Sequence, residues 1–146
     1  MSGQIHLPEV FLRLTEHLTY HWTAAYLTPG GQAVQIFPRK VNTFWKPLII
    51  LSNGEANLSN WFGDVTKSAV NDNDKKHHHW GQSISGLKDI LSRFSNPGQT
   101  ILDPFVGGGS TAVASYLAHC KFIGVDIDQS ALDITRARLG EINGAA

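Results

Sequence analysis

One cysteine in 146 residues, Cys120, excludes an internal disulfide. Following Ala118 and His119 at the end of a predicted helix, it reads as a small core residue of a protein kept reduced. The cytoplasm is therefore the expected compartment. Long apolar runs are lacking too. None reaches the roughly 18 residues needed to cross a bilayer, and no membrane partner is expected. The opening "MSGQIHLPEVFLRL" has no charged-then-apolar leader pattern and reads as the start of a helix. Net charge is also missing: 12 basic and 12 acidic residues cancel, so no global field draws the chain to nucleic acid. Acids are absent locally as well. None stands between Glu16 and Glu55, whereas Arg39, Lys40 and Lys46 do, together with His17 and His21. That stretch reads either as a strip facing phosphates or as ordinary solvated surface.

What is present suits one globular domain over residues 1–146, long enough for a single core but not two. Residues 1–52 read as a helix plus strands, 53–76 as a polar loop, and 77–146 as strands alternating with helices. In "PEVFLRLTEHLTYHWTAAYL" the residues Phe11, Leu12, Leu14, Leu18 and Trp22 recur at three- and four-residue spacing, predicting an amphipathic helix over 8–27. "TPGG" stops it, "QAVQIF" reads as a strand ended by Pro38, and "KPLIILS" as a strand covered on both faces. Ser83 or Ser85 is placed to cap a helix running to Phe94. After "NPGQ" come strand "TILD", a glycine turn, a helix over 110–119, strand "KFIGVDI" and a last helix over 130–139. This alternation predicts an α/β fold with a mostly parallel sheet.

In such sheets ligands bind beyond the carboxyl ends of strands, where "DPFVGGGS" stands. Gly107, Gly108 and Gly109 permit positive φ and close backbone approach. The helix that follows offers free N–H groups to a carboxylate or phosphate. Asp126, ending the next strand, is placed to accept from two ribose hydroxyls, and Ile127 beside it to pack on an adenine face. The spacing specifies a ligand with a ribose and a polar tail. The alternative is a tight structural turn. The turn is not G-x-G-x-x-G, since Ala112 stands in the third position, and no G-K-[ST] follows as a phosphate loop requires.

"ILDPFVGGGST" resembles the D-P-F-x-G-x-G-[ST]-T motif of S-adenosylmethionine-dependent DNA amino-methyltransferases, the adenine-N6 and cytosine-N4 group. "FIGVDID" with "ALDITRARL" is similar to that family's next strand and helix. "HWGQSISGLKDIL" resembles its H-P-x-Q-K-P-x-x-L segment, matching at His79, Gln82 and Leu87 and departing at Ser83 and Ile84. "AYLTPGGQAVQIF" is similar to the L-x-P-G-G-x-[LV] turn and strand, and "WKPLIILSNG" to the strand after it. The resemblance implies a Rossmann-like, three-layer methyltransferase fold, incomplete on its N-terminal side, with S-adenosylmethionine as cofactor. Asp103 and Pro104 would lead into the loop, and Phe105, Gly107 and Gly109 would lie under the cofactor. By the same resemblance Asp103 meets the methionine ammonium, Ser110 and Thr111 its carboxylate, and Asp126 the ribose. His79 and Gln82 close the methionine end.

The family's chemistry depends on a second motif, [DNS]-P-P-[YFW], whose polar group and aromatic ring hold the extruded base. No Pro-Pro dipeptide occurs in the sequence, and the catalytic residues are therefore unassigned. Loop 53–76 is also shorter than the roughly 600 Å² buried by even a small DNA-reading module demands. "HHH" at 77–79 is not expected to hold a metal. Consecutive side chains of an extended segment alternate in direction, and neither a cysteine nor H-x-x-x-H accompanies them. Three readings follow. The chain is the cofactor-binding part of a DNA amino-methyltransferase, DNA meeting Arg39, Lys40 and Lys46, and is either a truncated or degenerate gene product or one half of a split enzyme whose partner chain supplies the missing motif. Or it is a non-catalytic module that associates with itself. Or it is a complete methyltransferase for another substrate.

Overall fold

The computed structural model describes residues 4–29, 34–55, 61–69 and 82–144, and it divides into two compact units, Met1–Val70 and Asn71–Ala146. Among the described residues no helix is long and apolar enough to cross a membrane.

In the first unit a 3₁₀ turn, Gln4–His6, leads into α1 (Leu7–Thr15) with Pro8 in its first turn, where a missing N–H costs nothing. The helix stops there. Residues 19–27, expected to continue it, form strand β1 (Thr19–Leu27) instead. "TYHWTAAYL" is rich in β-branched and aromatic residues, which lose rotamer freedom in a helix and fit a pleated surface. Burial alternates accordingly over its second half, with Ala24 and Tyr26 buried and Thr23, Ala25 and Leu27 partly open. Strands β2 (Val34–Ile36) and β3 (Val41–Thr43) form a separate antiparallel ribbon around the 3₁₀ turn Phe37–Arg39. Of the expected strand over 32–37, Val34–Ile36 are strand and Phe37 joins the 3₁₀ turn with Pro38, while residues 32 and 33 lie outside the described residues. Strand β4 (Trp45–Ser52) runs antiparallel to β1, from Thr19↔Ser52 to Leu27↔Trp45. Strand β5 (Val65–Lys67) adds to β1 in parallel and lies inside the stretch expected to be loop. Val65 and Thr66 are β-branched, and Thr66 is buried.

The second unit follows the sequence closely. Ser83 caps α2 (Ile84–Phe94), its Oγ accepting the Gly86 N–H at 3.0 Å. Strand β6 (Thr100–Asp103), helix α3 (Ser110–Leu117) and strand β7 (Lys121–Gly124) make one parallel strand–helix–strand unit, paired from Thr100↔Lys121 to Asp103↔Gly124. Helix α4 (Gln129–Gly144) starts one residue earlier than expected and runs beyond Leu139. Helix α3 packs on both strands, and α2 and α4 pack on α3. Ala112, Val113, Ala114 and Ser115 are buried, and such small side chains let neighbouring elements come close. Leu102 on β6, Ile123 on β7 and Val125 just after it are each more than half exposed. The alternation of strands and helices makes this an α/β fold, with parallel pairing where the glycine turn sits.

Candidate functional site

A cavity of about 360 Å³ opens where β6 and β7 end. Asp103 closes β6, and its Oδ1 accepts the Phe105 N–H at 3.0 Å, which turns the chain into the glycine loop. Gly107 has φ +49 and donates its N–H to Asp126 Oδ2 at 2.8 Å. The other oxygen, Asp126 Oδ1, accepts the Asp128 N–H at 3.0 Å. Two backbone amides from two different loops thereby fix the orientation of this carboxylate.

Gly109, at φ +76, is the N-cap of α3 and offers no side chain to cap it. The N–H groups of the first turn of α3 are left for other partners. Helix α4 braces the loop from behind. Thr135 Oγ1 donates to the Gly107 carbonyl at 3.3 Å, and Arg138 Nη1 donates to the Gly108 carbonyl. Both side chains are buried, and their three-residue spacing puts them on one helix face. Ser110, the first residue of α3, has a buried hydroxyl without a hydrogen-bond partner among the described residues. Leaving such a group unmet costs on the order of 1–3 kcal/mol, and Ser110 lies in the cavity wall.

The wall contains the expected Gln82, Asp103, Phe105, Gly107, Ser110, Thr111 and Asp126. Gly109 stands behind it as the helix cap, and Pro104 is an exposed turn residue outside it. Ile127 is fully exposed and takes no part in the wall. His79, with His77 and His78, lies outside the described residues. Arg39 and Lys40 sit exposed on the ribbon and Lys46 on β4, all in the first unit. Sequence reasoning missed Asp128 and Ala131, which also line the cavity, and the bracing pair Thr135 and Arg138. Asp128 was legible as an N-cap: it accepts the Ser130 N–H at 2.9 Å and the Ser130 hydroxyl at 2.8 Å. Nothing local marks Arg138 as buried.

Asp103, Asp126 and Asp128 give the wall three carboxylates, and among the described residues no lysine or arginine lines it. Such a wall disfavours a diphosphate and favours hydroxyls and a cationic group. An uncapped helix start and the unmet Ser110 hydroxyl supply one place for a carboxylate.

The family model described as DNA methylase, for the N6 and N4 enzymes, matches residues 18–137. The chain belongs to the N6/N4 DNA methylase family. Among its relatives in this family, the type II methyltransferase M2.DpnII of Streptococcus pneumoniae is 34% identical over 89 residues, 61% of this chain and 32% of that protein. The type II methyltransferase M.HinfI of Haemophilus influenzae is 35% identical over 78 residues, 52% of this chain and 21% of that protein. The chain thus spans a third or less of either enzyme. Among solved structures, the M1.HpyAVI–SAM complex superimposes with a TM-score of 0.77 at 16% identity, covering 94% of this chain and 71% of that one. TTHA0409 of Thermus thermophilus, complexed with S-adenosyl-L-methionine, gives 0.66 at 11% identity, covering 97% and 61%. These likenesses establish the Rossmann-like methyltransferase fold of the family member described here.

Proposed function

We propose that this chain is the S-adenosylmethionine-binding portion of a DNA amino-methyltransferase acting on adenine N6 or cytosine N4. The observation that carries this reading is the composition of the cavity wall, with its three carboxylates, an uncapped helix and a buried, unmet hydroxyl. S-adenosylmethionine has the matching groups, a ribose diol, an ammonium and a carboxylate, and supplies an electrophilic methyl on a sulfonium. Asp126, pre-oriented by two amides, accepts from the ribose hydroxyls. Asp103 faces the ammonium. Ser110, Thr111 and the first N–H groups of α3 receive the carboxylate. Gly107 and Gly109 keep the loop low enough for close approach, and Phe105 forms the apolar rim. Gln82 closes the methionine end, and Ile127 stands ready to pack on the adenine.

Within residues 1–146 no proline follows another, so in this reading the group that holds the target amino nitrogen comes from a second polypeptide segment. A non-catalytic, self-associating module is the second reading. It is favoured by the exposed apolar side chains Leu102, Ile123 and Val125 on β6 and β7 and the turn after them.

Calorimetric titration with S-adenosylhomocysteine tests the first reading. One-to-one binding by the natural chain is expected, with at least a tenfold loss in Asp126→Ala. A folded natural chain that takes up no ligand refutes it.

A further inference from the structure

The β2–β3 ribbon exposes side chains that proteins usually cover. Phe37 is 79% exposed, Phe44 70% and Val41 50%. Arg39 and Lys40 stand exposed between them, and neither has an ion-pair partner among the described residues. The tip is a defined shape. Phe37–Arg39 form one 3₁₀ turn, closed by the Lys40 N–H donating to the Phe37 carbonyl at 3.2 Å with Lys40 left-handed at φ 53. An apolar ring and two cations are therefore carried on a single hairpin end. No acid occurs from residue 17 to residue 54 to offset them.

We infer that this ribbon is a DNA-contacting element, with Phe37 stacking on or wedging between bases while Arg39 and Lys40 neutralise adjacent phosphates. The inference rests on the family's substrate class as taken up under the proposed function, but its observations come from the ribbon alone. Two-stranded ribbons enter the major or the minor groove of duplex DNA. Apolar wedges flanked by basic side chains unstack base steps in several groups of DNA-bending proteins, and aromatic rings stack on single-stranded bases whatever their sequence. A second copy of the chain fits less well. A symmetric contact would set Arg39 and Lys40 against themselves, with no acid on the ribbon to pair them.

The test measures binding of the full chain to a fluorescein-labelled duplex, and to the same duplex with 2-aminopurine, across a salt series. Natural protein, Phe37→Ala and the double variant Arg39→Ala/Lys40→Ala are compared. These side chains are exposed, so circular dichroism is expected to report the same fold in all three. Phe37→Ala is expected to weaken binding about tenfold or more and to remove the 2-aminopurine signal. The double variant is expected to reduce the slope of log K against log salt by about two. No DNA binding by the folded natural chain at low salt, or equal binding by all three proteins, overturns the inference. So does concentration-dependent self-association that Phe37→Ala abolishes in place of DNA binding, since the ribbon is then a contact between copies. S-adenosylhomocysteine titration of the same proteins is read separately. Retained cofactor binding with failed DNA binding sinks the ribbon alone, and the reverse result sinks the cofactor reading alone.

Discussion

A methyl group added at Gly109 would stand 2.6 Å from Thr135 Oγ1 and 3.1 Å from the Thr135 Cα, on a backbone held at φ +76. At Gly107 the same methyl would meet nothing nearer than 3.9 Å, and only the φ of +49 resists it. The two substitutions therefore separate steric from conformational cost. Gly109→Ala is expected to lose about 3 kcal/mol of stability, from overpacking plus the left-handed backbone, and Gly107→Ala about 1 kcal/mol. Urea denaturation curves give both values. Ser110 makes the opposite kind of prediction. Its hydroxyl is buried and unmet, so Ser110→Ala is expected to leave stability unchanged or raise it by up to about 1 kcal/mol, while S-adenosylhomocysteine binds several-fold more weakly. A variant that is weaker in both measurements would make Ser110 structural rather than ligand-facing.

Helix α4 carries its own part of the site through Thr135 and Arg138, which hold the loop carbonyls that no other element meets among the described hydrogen bonds. Arg138→Met keeps much of the bulk and removes the donor. The expected cost is about 2 kcal/mol in thermal or urea unfolding, from the Gly108 carbonyl left buried, with weakened cofactor binding because the loop is no longer held. This brace was not legible in the sequence, because an arginine on a helix is ordinarily solvated and only tertiary packing buries it. The elements that were legible owe their form to neighbours in the chain: the Ser83 cap of α2, the glycine turn, the small-residue face of α3 and the acid after β7. Strand β1 was misread because Leu18 and Trp22 continue the helical spacing of Phe11 and Leu14 by coincidence. What makes residues 19–27 a strand is pairing with β4, more than twenty residues away in sequence at its far end. Strand β5, three residues long, is too short to show any periodicity at all.

At the scale of the molecule, the parallel β6–β7 pair is covered unevenly. Parallel strands are ordinarily buried on both faces, yet Leu102 is 62% exposed and its register partner Ile123 54%. Contiguous apolar surface of this kind favours association. Ile123→Lys is therefore expected to lower any self-association seen by sedimentation velocity, with stability changed by no more than about 0.5 kcal/mol because the position is open to solvent. A sedimentation coefficient that rises with concentration equally in both proteins would clear this face of the role.

The register Leu27↔Trp45 brings the two ends of the ribbon excursion face to face. Strands β2 and β3 lie outside the three-stranded sheet, and the chain leaves that sheet and rejoins it at one rung of the ladder, so the length of the intervening segment is almost decoupled from the sheet's own energetics. Closure entropy changes by only about 0.6 kcal/mol for each doubling of such a segment. Replacing residues 28–44 with Asn-Gly, a turn suited to joining adjacent antiparallel strands, is expected to leave a folded chain with an unchanged S-adenosylhomocysteine isotherm. The same doorway would admit a longer insert as readily as a shorter one, so the fold can exchange what it touches at this point without rebuilding its pocket.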